Sequence, residues 1–211
     1  MDKSNSIRLK ICGMRNAANI REIGALNPDY MGFIFYKNSP RFVGEDFEIP
    51  DDFSNEIKRV GVFVNEPFSN LLRLVKKHNL DFVQLHGDES REYCKRIKSE
   101  GIAVIKVFRV EAEFDFAITN EYETTVDFFL FDTKGSAYGG TGKKFDWNIL
   151  NNYNQNTPFF LSGGINRENI LDLNSFVGMN LHALDVNSGV EISPGRKEKS
   201  KVLSIIKKLR V

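Results

Sequence analysis

Eight short apolar runs, each set roughly one βα unit from the next, constrain this chain more than any other feature. They occupy residues 7–12, 30–36, 60–64, 82–86, 104–108, 128–132, 159–162 and 183–187. Strands that are apolar almost throughout are buried on both faces, which is the state of strands in an all-parallel sheet. Eight such runs in 211 residues predict an α/β protein, a single (β/α)8 TIM barrel with parallel strands that forms one domain over residues 1–211. An open doubly wound sheet, which usually has fewer strands, is the alternative.

The segments between the runs differ in helical quality. Residues 16–26 place Ala17, Ile20, Ile23 and Leu26 on one face before Asn27-Pro28 stops the pattern. Pro67 marks a helix start, with Leu71, Leu72 and Val75 as the buried stripe; residues 89–99 carry Tyr93, Cys94 and Ile97 and end at Gly101. A terminal helix over 197–210 sets Val202, Ile205, Ile206 and Leu209 against a basic outer face. Two connections, 44–58 and 111–125, lack helical spacing and are predicted to be short or irregular.

Composition narrows the function classes. Lys+Arg 29 against Asp+Glu 28 leaves a formal charge of +1, so no global field would recruit nucleic acid or an anionic membrane. No apolar stretch has the length of a signal peptide or a bilayer span, and the two cysteines, Cys12 and Cys94, form no CxxC pair. A reduced, cytoplasmic setting follows as the expectation, and the oligomeric state is left as monomer or homodimer. With three histidines, only His86 near a strand's C-terminal end, a metal cluster is not expected, and no GxGxxG motif follows the first strand.

In barrels of this kind the chemistry sits where the strands end. Here those ends carry Cys12-Gly13, Ser39-Pro40-Arg41, Gln84 with His86, Asp132, Ser162-Gly163-Gly164, and Asp185 with Asn187-Ser188-Gly189. Gly163-Gly164 and Ser188-Gly189 follow strands seven and eight, where backbone N–H groups often hold a phosphate, and the loop with Gly140 and Gly142 borders the same corner. Arg41 has two readings, a clamp for a carboxylate or a surface arginine without a partner. Cys12 and Asp132 can be read as a proton acceptor and a proton donor, or Cys12 as a small core residue. Cys94 reads as packing on a helix face.

These residues lie in stretches that resemble the phosphoribosylanthranilate isomerase family of tryptophan biosynthesis. The resemblance is carried by KICGM with NAANI, GFIFYKNSPRFV, VGVFVNEP, VQLHGDE, LFDT with GGTGKKFDW, LSGGINRENI and DVNSGVEISPGRK, in the family's order along nearly the whole chain. It implies an Amadori rearrangement of N-(5-phosphoribosyl)anthranilate, a small phosphorylated sugar, to 1-(2-carboxyphenylamino)-1-deoxyribulose 5-phosphate, with no metal or organic cofactor. By motif match it makes Cys12 the general base, Asp132 the general acid and Arg41 the holder of the anthranilate carboxylate. Gly140, Gly142, Gly163, Gly164, Ser188 and Gly189 would line the phosphate and sugar, Asp185 would bond the open-chain substrate, and Gln84 and His86 belong to the rim. The chain departs from the family pattern at Asn187, Lys144 and Glu198. Two competing readings are another phosphate-binding barrel enzyme of amino-acid biosynthesis, for which Lys106 would be the catalytic lysine, and a barrel that binds a phosphorylated metabolite without turning it over.

Overall fold

The computed structural model describes residues 7–133, 146–154, 156–170, 176 and 178–209. Eight parallel strands close into a barrel in chain order: β1 (Arg8–Ile11), β2 (Tyr30–Ile34), β3 (Lys58–Phe63), β4 (Phe82–Leu85), β5 (Ala103–Val110), β6 (Phe128–Thr133), β7 (Phe159–Leu161) and β8 (Leu181–Val186). Closure comes from β8 pairing with β1, in a register that sets Lys10 opposite Asp185. Each strand falls on one of the eight apolar runs.

Side-chain alternation splits these strands between two cores. Tyr30, Val60, Ile105, Val107, Leu130, Phe160 and Ala183 fill the barrel interior. Their neighbours in sequence, such as Val104, Phe129, Phe131, Phe159 and Leu184, point outward into the larger core under the helices. The floor is closed by His182, whose ring lies 4.3 Å from that of Phe128 and whose Nε2 is 2.7 Å from the Tyr30 hydroxyl. Burial and the nearby Arg8 lower its pKa to about 4, so at neutral pH the floor carries an uncharged imidazole.

A recurring local device sets the strand starts. Asp29, Asp81 and Asp127 each precede an aromatic residue that opens β2, β4 and β6. Each carboxylate accepts the backbone N–H of the preceding strand, from Leu9, Arg59 and Val104 respectively, at 2.8 Å in all three cases. These bonds satisfy N–H groups that begin a strand, and they tie odd and even strands into pairs.

Four α-helices surround the described barrel: α1 (Ala17–Gly24), α2 (Phe68–His78), α3 (Arg91–Ser99) and α4 (Lys199–Leu209). Asn16 and Ser90 cap α1 and α3 by accepting the N–H of Asn19 and Tyr93. The inward face of α1 differs from the predicted one: Ala17 is exposed, while the polar Asn19 is buried beside Ile20 and Ile23. Asn19 is buried because it bonds the backbone of Lys197 in both directions, accepting its N–H at 2.8 Å and donating to its carbonyl at 2.9 Å. Lys197 lies on the hairpin of β9 (Glu191–Ser193) and β10 (Arg196–Lys197), which crosses the chain just before α4. The connection between β2 and β3 contains turns and no helix, and that between β5 and β6 holds only a short 3-10 helix, Phe116–Glu121. Phe116 is buried there against Phe114 and Phe131.

Lys106 faces outward, since its neighbours Ile105 and Val107 take the interior positions of β5. Its ammonium meets Glu89 at 2.9 Å and the Gly87 carbonyl at 2.8 Å, both groups buried. Glu89 also accepts the N–H of Asn65 and Gly87 at 2.9 Å, joining the loops after β3 and β4. The lysine that would serve a different barrel enzyme is thereby committed to holding those loops. Replacing Glu89 by Ala leaves this ammonium buried and unpaired, and should cost about 3–5 kcal/mol. The double change Glu89→Leu with Lys106→Met should be less damaging than the single one, as read from urea unfolding midpoints.

Candidate active site

The C-terminal mouth of the barrel contains a cavity lined by Cys12, Ile34, Tyr36, Ser39, Val62, Val64, Gln84, His86, Asp132, Ser162, Asp185 and Asn187. The polar members extend the inward-facing register: Cys12 follows Lys10 by two residues, His86 follows Gln84, and Asn187 follows Asp185. Cys12 and Asp132, from strands on different sides of the barrel, therefore open into one space. Both are nearly inaccessible, at 3% and 4% relative exposure.

Each proton-carrying group has a defined surrounding. Asp132 accepts the Thr133 N–H on Oδ1 at 2.9 Å, and its Oδ2 lies 3.5 Å from His86 Nε2, too far for a formed hydrogen bond. Gln84 Nε2 lies 3.2 Å from His86 Nδ1. Two buried polar atoms here, Gln84 Oε1 and His86 Nε2, have no hydrogen-bond partner among the described residues. Such atoms cost about 1–3 kcal/mol each unless something satisfies them, which suits a site built to receive a polar ligand.

Cys12 is less accessible than its reading as a base suggests. Burial pushes the thiol up from its ordinary value; the Lys10 ammonium pulls it down, the Asp185 carboxylate pushes it up, and Lys197 again lowers it. The net direction is upward, so the free site holds a neutral thiol at neutral pH.

Arg41 is neither on the surface nor unpartnered. Its side chain is 10% exposed and grips Glu191 side-on, Nε to Oε1 at 2.9 Å and Nη2 to Oε2 at 2.7 Å. Glu191 also accepts from Lys197 Nζ at 2.7 Å and from the Gly195 N–H at 2.9 Å. Lys197 Nζ in turn reaches Asn187 Oδ1 at 2.6 Å and its carbonyl at 3.2 Å. A chain of three charges thus runs from Arg41 to the rim of β8, and it seats the side chain of Asn187, the residue that departs from the family pattern. Glu191 and Lys197 lie within the family-like stretch DVNSGVEISPGRK, yet carry no local mark of a role, because their partners come from elsewhere in the chain.

The glycine turns after β7 and β8 meet. Gly163 and Gly164 have φ of +95° and +71°. A Cβ on Gly189 would stand 2.1 Å from the Ile165 carbonyl oxygen, and one on Gly163 would stand 2.2 Å from Thr133 Oγ1. The last residue of β6 and the turns that follow β7 and β8 are thereby packed closely together beside the cavity, with Ser188 opening a short 3-10 helix, Ser188–Val190. Gly140 and Gly142 lie outside the described residues, as does the rest of that loop. Among the described residues, no group of three His, Cys, Asp or Glu side chains could hold a metal ion, and no helix is long and apolar enough to cross a membrane.

The charge chain has a pH signature. Burial alone would raise Glu191, but the Arg41 hydrogen bonds, Lys197 and the Gly195 N–H overcome it and hold its pKa at about 2. A depressed carboxylate contributes stability that is complete above the unfolded value of about 4.3 and fades as pH falls through the folded value. The stability difference between wild type and Glu191→Gln should therefore be largest above about pH 5 and shrink steadily towards pH 2. Urea midpoints measured across that range check it.

Comparison with known proteins gives a consistent result. The family model described as N-(5'phosphoribosyl)anthranilate (PRA) isomerase matches residues 9–208. The N-(5'-phosphoribosyl)anthranilate isomerase of Parabacteroides distasonis is 43% identical over 204 residues, covering 95% of this chain and 92% of that protein. The crystal structure of phosphoribosyl anthranilate isomerase from Thermotoga maritima superposes with a TM-score of 0.83 at 35% identity, over 97% of this chain and 98% of that one. A further isomerase structure, in complex with reduced 1-(o-carboxyphenylamino)-1-deoxyribulose 5-phosphate, matches with a TM-score of 0.80 at 32% identity, over 97% of this chain and 98% of that chain. With a family match across almost its full length and relatives above 40% identity, the chain belongs to the N-(5'-phosphoribosyl)anthranilate isomerase family.

Proposed function

We propose that the mouth of this barrel carries out the reaction for which the family is named, the Amadori rearrangement of N-(5'-phosphoribosyl)anthranilate in tryptophan biosynthesis, with Cys12 and Asp132 as its proton carriers. The observation that carries this assignment is the shared cavity: a thiol just after β1 and a carboxyl from β6 both face it, beside the glycine turns after β7 and β8.

In this reading Asp132 gives its proton to the furanose ring oxygen as the bond from that oxygen to C1 breaks. The lone pair of the anthranilate nitrogen forms the C=N bond of the resulting iminium. Cys12, whose thiol first loses its own proton to solvent, then removes the proton from C2 as thiolate; the C–H electron pair becomes the C1=C2 bond and the iminium charge collapses onto nitrogen. The enolamine so formed loses its 2-hydroxyl proton and gains one at C1, giving the ketone.

The binding roles follow from what each group can still offer. Gly163, Gly164, Ser188 and Gly189 present backbone N–H groups to the phosphate, and Gly140 and Gly142 are assigned to the same side on the family motif alone. Asp185 bonds the open-chain hydroxyls. Gln84 Oε1 and His86 Nε2, both buried without partners, are filled by polar atoms of the sugar. Glu191 holds Arg41 through Nε and Nη2, which leaves the end-on edge of the guanidinium, Nη1 with the second N–H of Nη2, for the anthranilate carboxylate. The enzyme acts on a small phosphorylated sugar and works in the cytoplasm.

Freshly prepared phosphoribosylanthranilate should lose its anthranilate fluorescence when the protein is added, at the same rate with and without a chelator. Cys12→Ala and Asp132→Asn should each lower kcat by about 10²–10⁴-fold with circular dichroism unchanged. Near-normal turnover in both variants would remove the proposed roles, and binding of the substrate without loss of fluorescence would mark the protein as a binding module.

A further inference from the structure

The interior of the barrel contains a charge that the proton transfers described above do not use. Lys10 is fully buried, two residues before Cys12 on the same face of β1. Burying an ammonium is costly unless it is paired, and an apolar side chain would fill this interior position without that cost. Its Nζ donates to Asp185 Oδ1 at 2.8 Å, across the register that closes the barrel. An ammonium has three N–H donors. Among the described residues Asp185 supplies its only oxygen partner, whereas Lys197 has oxygens from Asn187 and Glu191 for all three of its donors.

The Lys10 ammonium lies near the Cys12 sulfur. A Cβ placed on Gly32 of β2 would lie 2.7 Å from Cys12 Sγ and 3.2 Å from Lys10 Nζ, so the sulfur and the ammonium share the space that this glycine leaves open. Arg41 Cδ and Asn187 Oδ1 border the next glycine, Gly13, on the other side of Cys12.

We propose that Lys10 is a positioning residue for the base: its buried ammonium, aimed by Asp185 and given room by Gly32, holds Cys12 as a thiolate while the substrate proton is taken. This rests on the reading of Cys12 as the base. The charge balance is direct. With Lys10 present, a thiolate at Cys12 and the Asp185 carboxylate face Lys10 within the barrel and Lys197 at its rim; when the thiolate takes the C2 proton, the Lys10–Asp185 pair is left neutral overall. With Lys10 removed, a thiolate would form in a buried site beside an unopposed carboxylate, with only Lys197 to favour it. The effect on the thiol has the same sign in the free protein, where Lys10 lowers and Asp185 raises its pKa.

The test follows the ultraviolet absorption of the Cys12 thiolate against pH in a Cys94→Ala background, with Cys12→Ala as the blank, alongside kcat and KM. Lys10→Met should move the titration upward by about one pH unit or more and lower kcat at least about tenfold, with a smaller change in KM. Lys10→Met with Asp185→Asn leaves no unpaired buried charge, so it covers the case in which the single variant fails to fold; its titration should also move upward. Gly32→Ala, which fills the shared space without removing a charge, should likewise lower kcat. A thiolate titration unchanged in the Lys10 variants overturns the inference even if Cys12→Ala is inactive, since the base then needs no lysine. If Cys12→Ala is itself active, the assignment of the base fails separately.

Discussion

The pairing of β8 with β1 is the contact on which the rest of this structure depends. It closes the barrel, and its register puts Lys10 opposite Asp185, Ile11 opposite Val186, and the Cys12 N–H on the Val186 carbonyl at 2.9 Å. A slip of one residue would turn Cys12, Asp185 and Asn187 out towards the helices and bring apolar side chains into the mouth. The same closure brings the start and end of the chain together, so Asn19 of α1 can hold Lys197 of the terminal hairpin by its backbone. Fold and site are therefore specified by one set of bonds.

The electrostatics of the mouth follow from burial. Positive and negative groups enter as compensated sets: Lys10 with Asp185, Lys106 with Glu89, and Arg41 and Lys197 around Glu191. Each set holds a loop or a strand end in place as well as neutralising itself. Lys197 shows the tension. Its desolvation lowers it to about 8, against the upward pull of Glu191. Such pairs add little net stability compared with apolar packing, but they fix geometry, because a buried charge has few alternative positions that satisfy it.

Much of this was legible in the residues themselves. The eight strands lie on the eight apolar runs because a strand buried on both faces has to be apolar nearly throughout, and Cys12, Gln84, His86, Asp132 and Asp185 stand out as polar groups where those runs end. The helices α1, α2, α3 and α4 carried their own apolar stripes, while the connections after β2 and β5 lacked them and contain no α-helix. What the residues did not reveal was pairing over long separations. Lys10 sits within a strand and reads locally as a surface position; only the closed barrel shows that it faces inward to a carboxylate far along the chain. The alternation of Lys10 with Cys12 was the available sign, since two inward residues of one strand must share the interior. Arg41 and Asn19 were hidden in the same way, the first by Glu191 and the second by the backbone of Lys197. The outward direction of Lys106 could have been read from Ile105 and Val107 on either side of it.

The most direct test of the account is a crystal structure of this protein with reduced 1-(o-carboxyphenylamino)-1-deoxyribulose 5-phosphate, the ligand seen in a related isomerase. The expected result has Cys12 Sγ about 3–4 Å from C2 of the sugar chain, the Asp132 carboxyl on the oxygen released from the ring, and the phosphate on the N–H groups of the β7 and β8 turns. A ligand seated with its sugar chain out of reach of either side chain, or with its phosphate away from those turns, would contradict it.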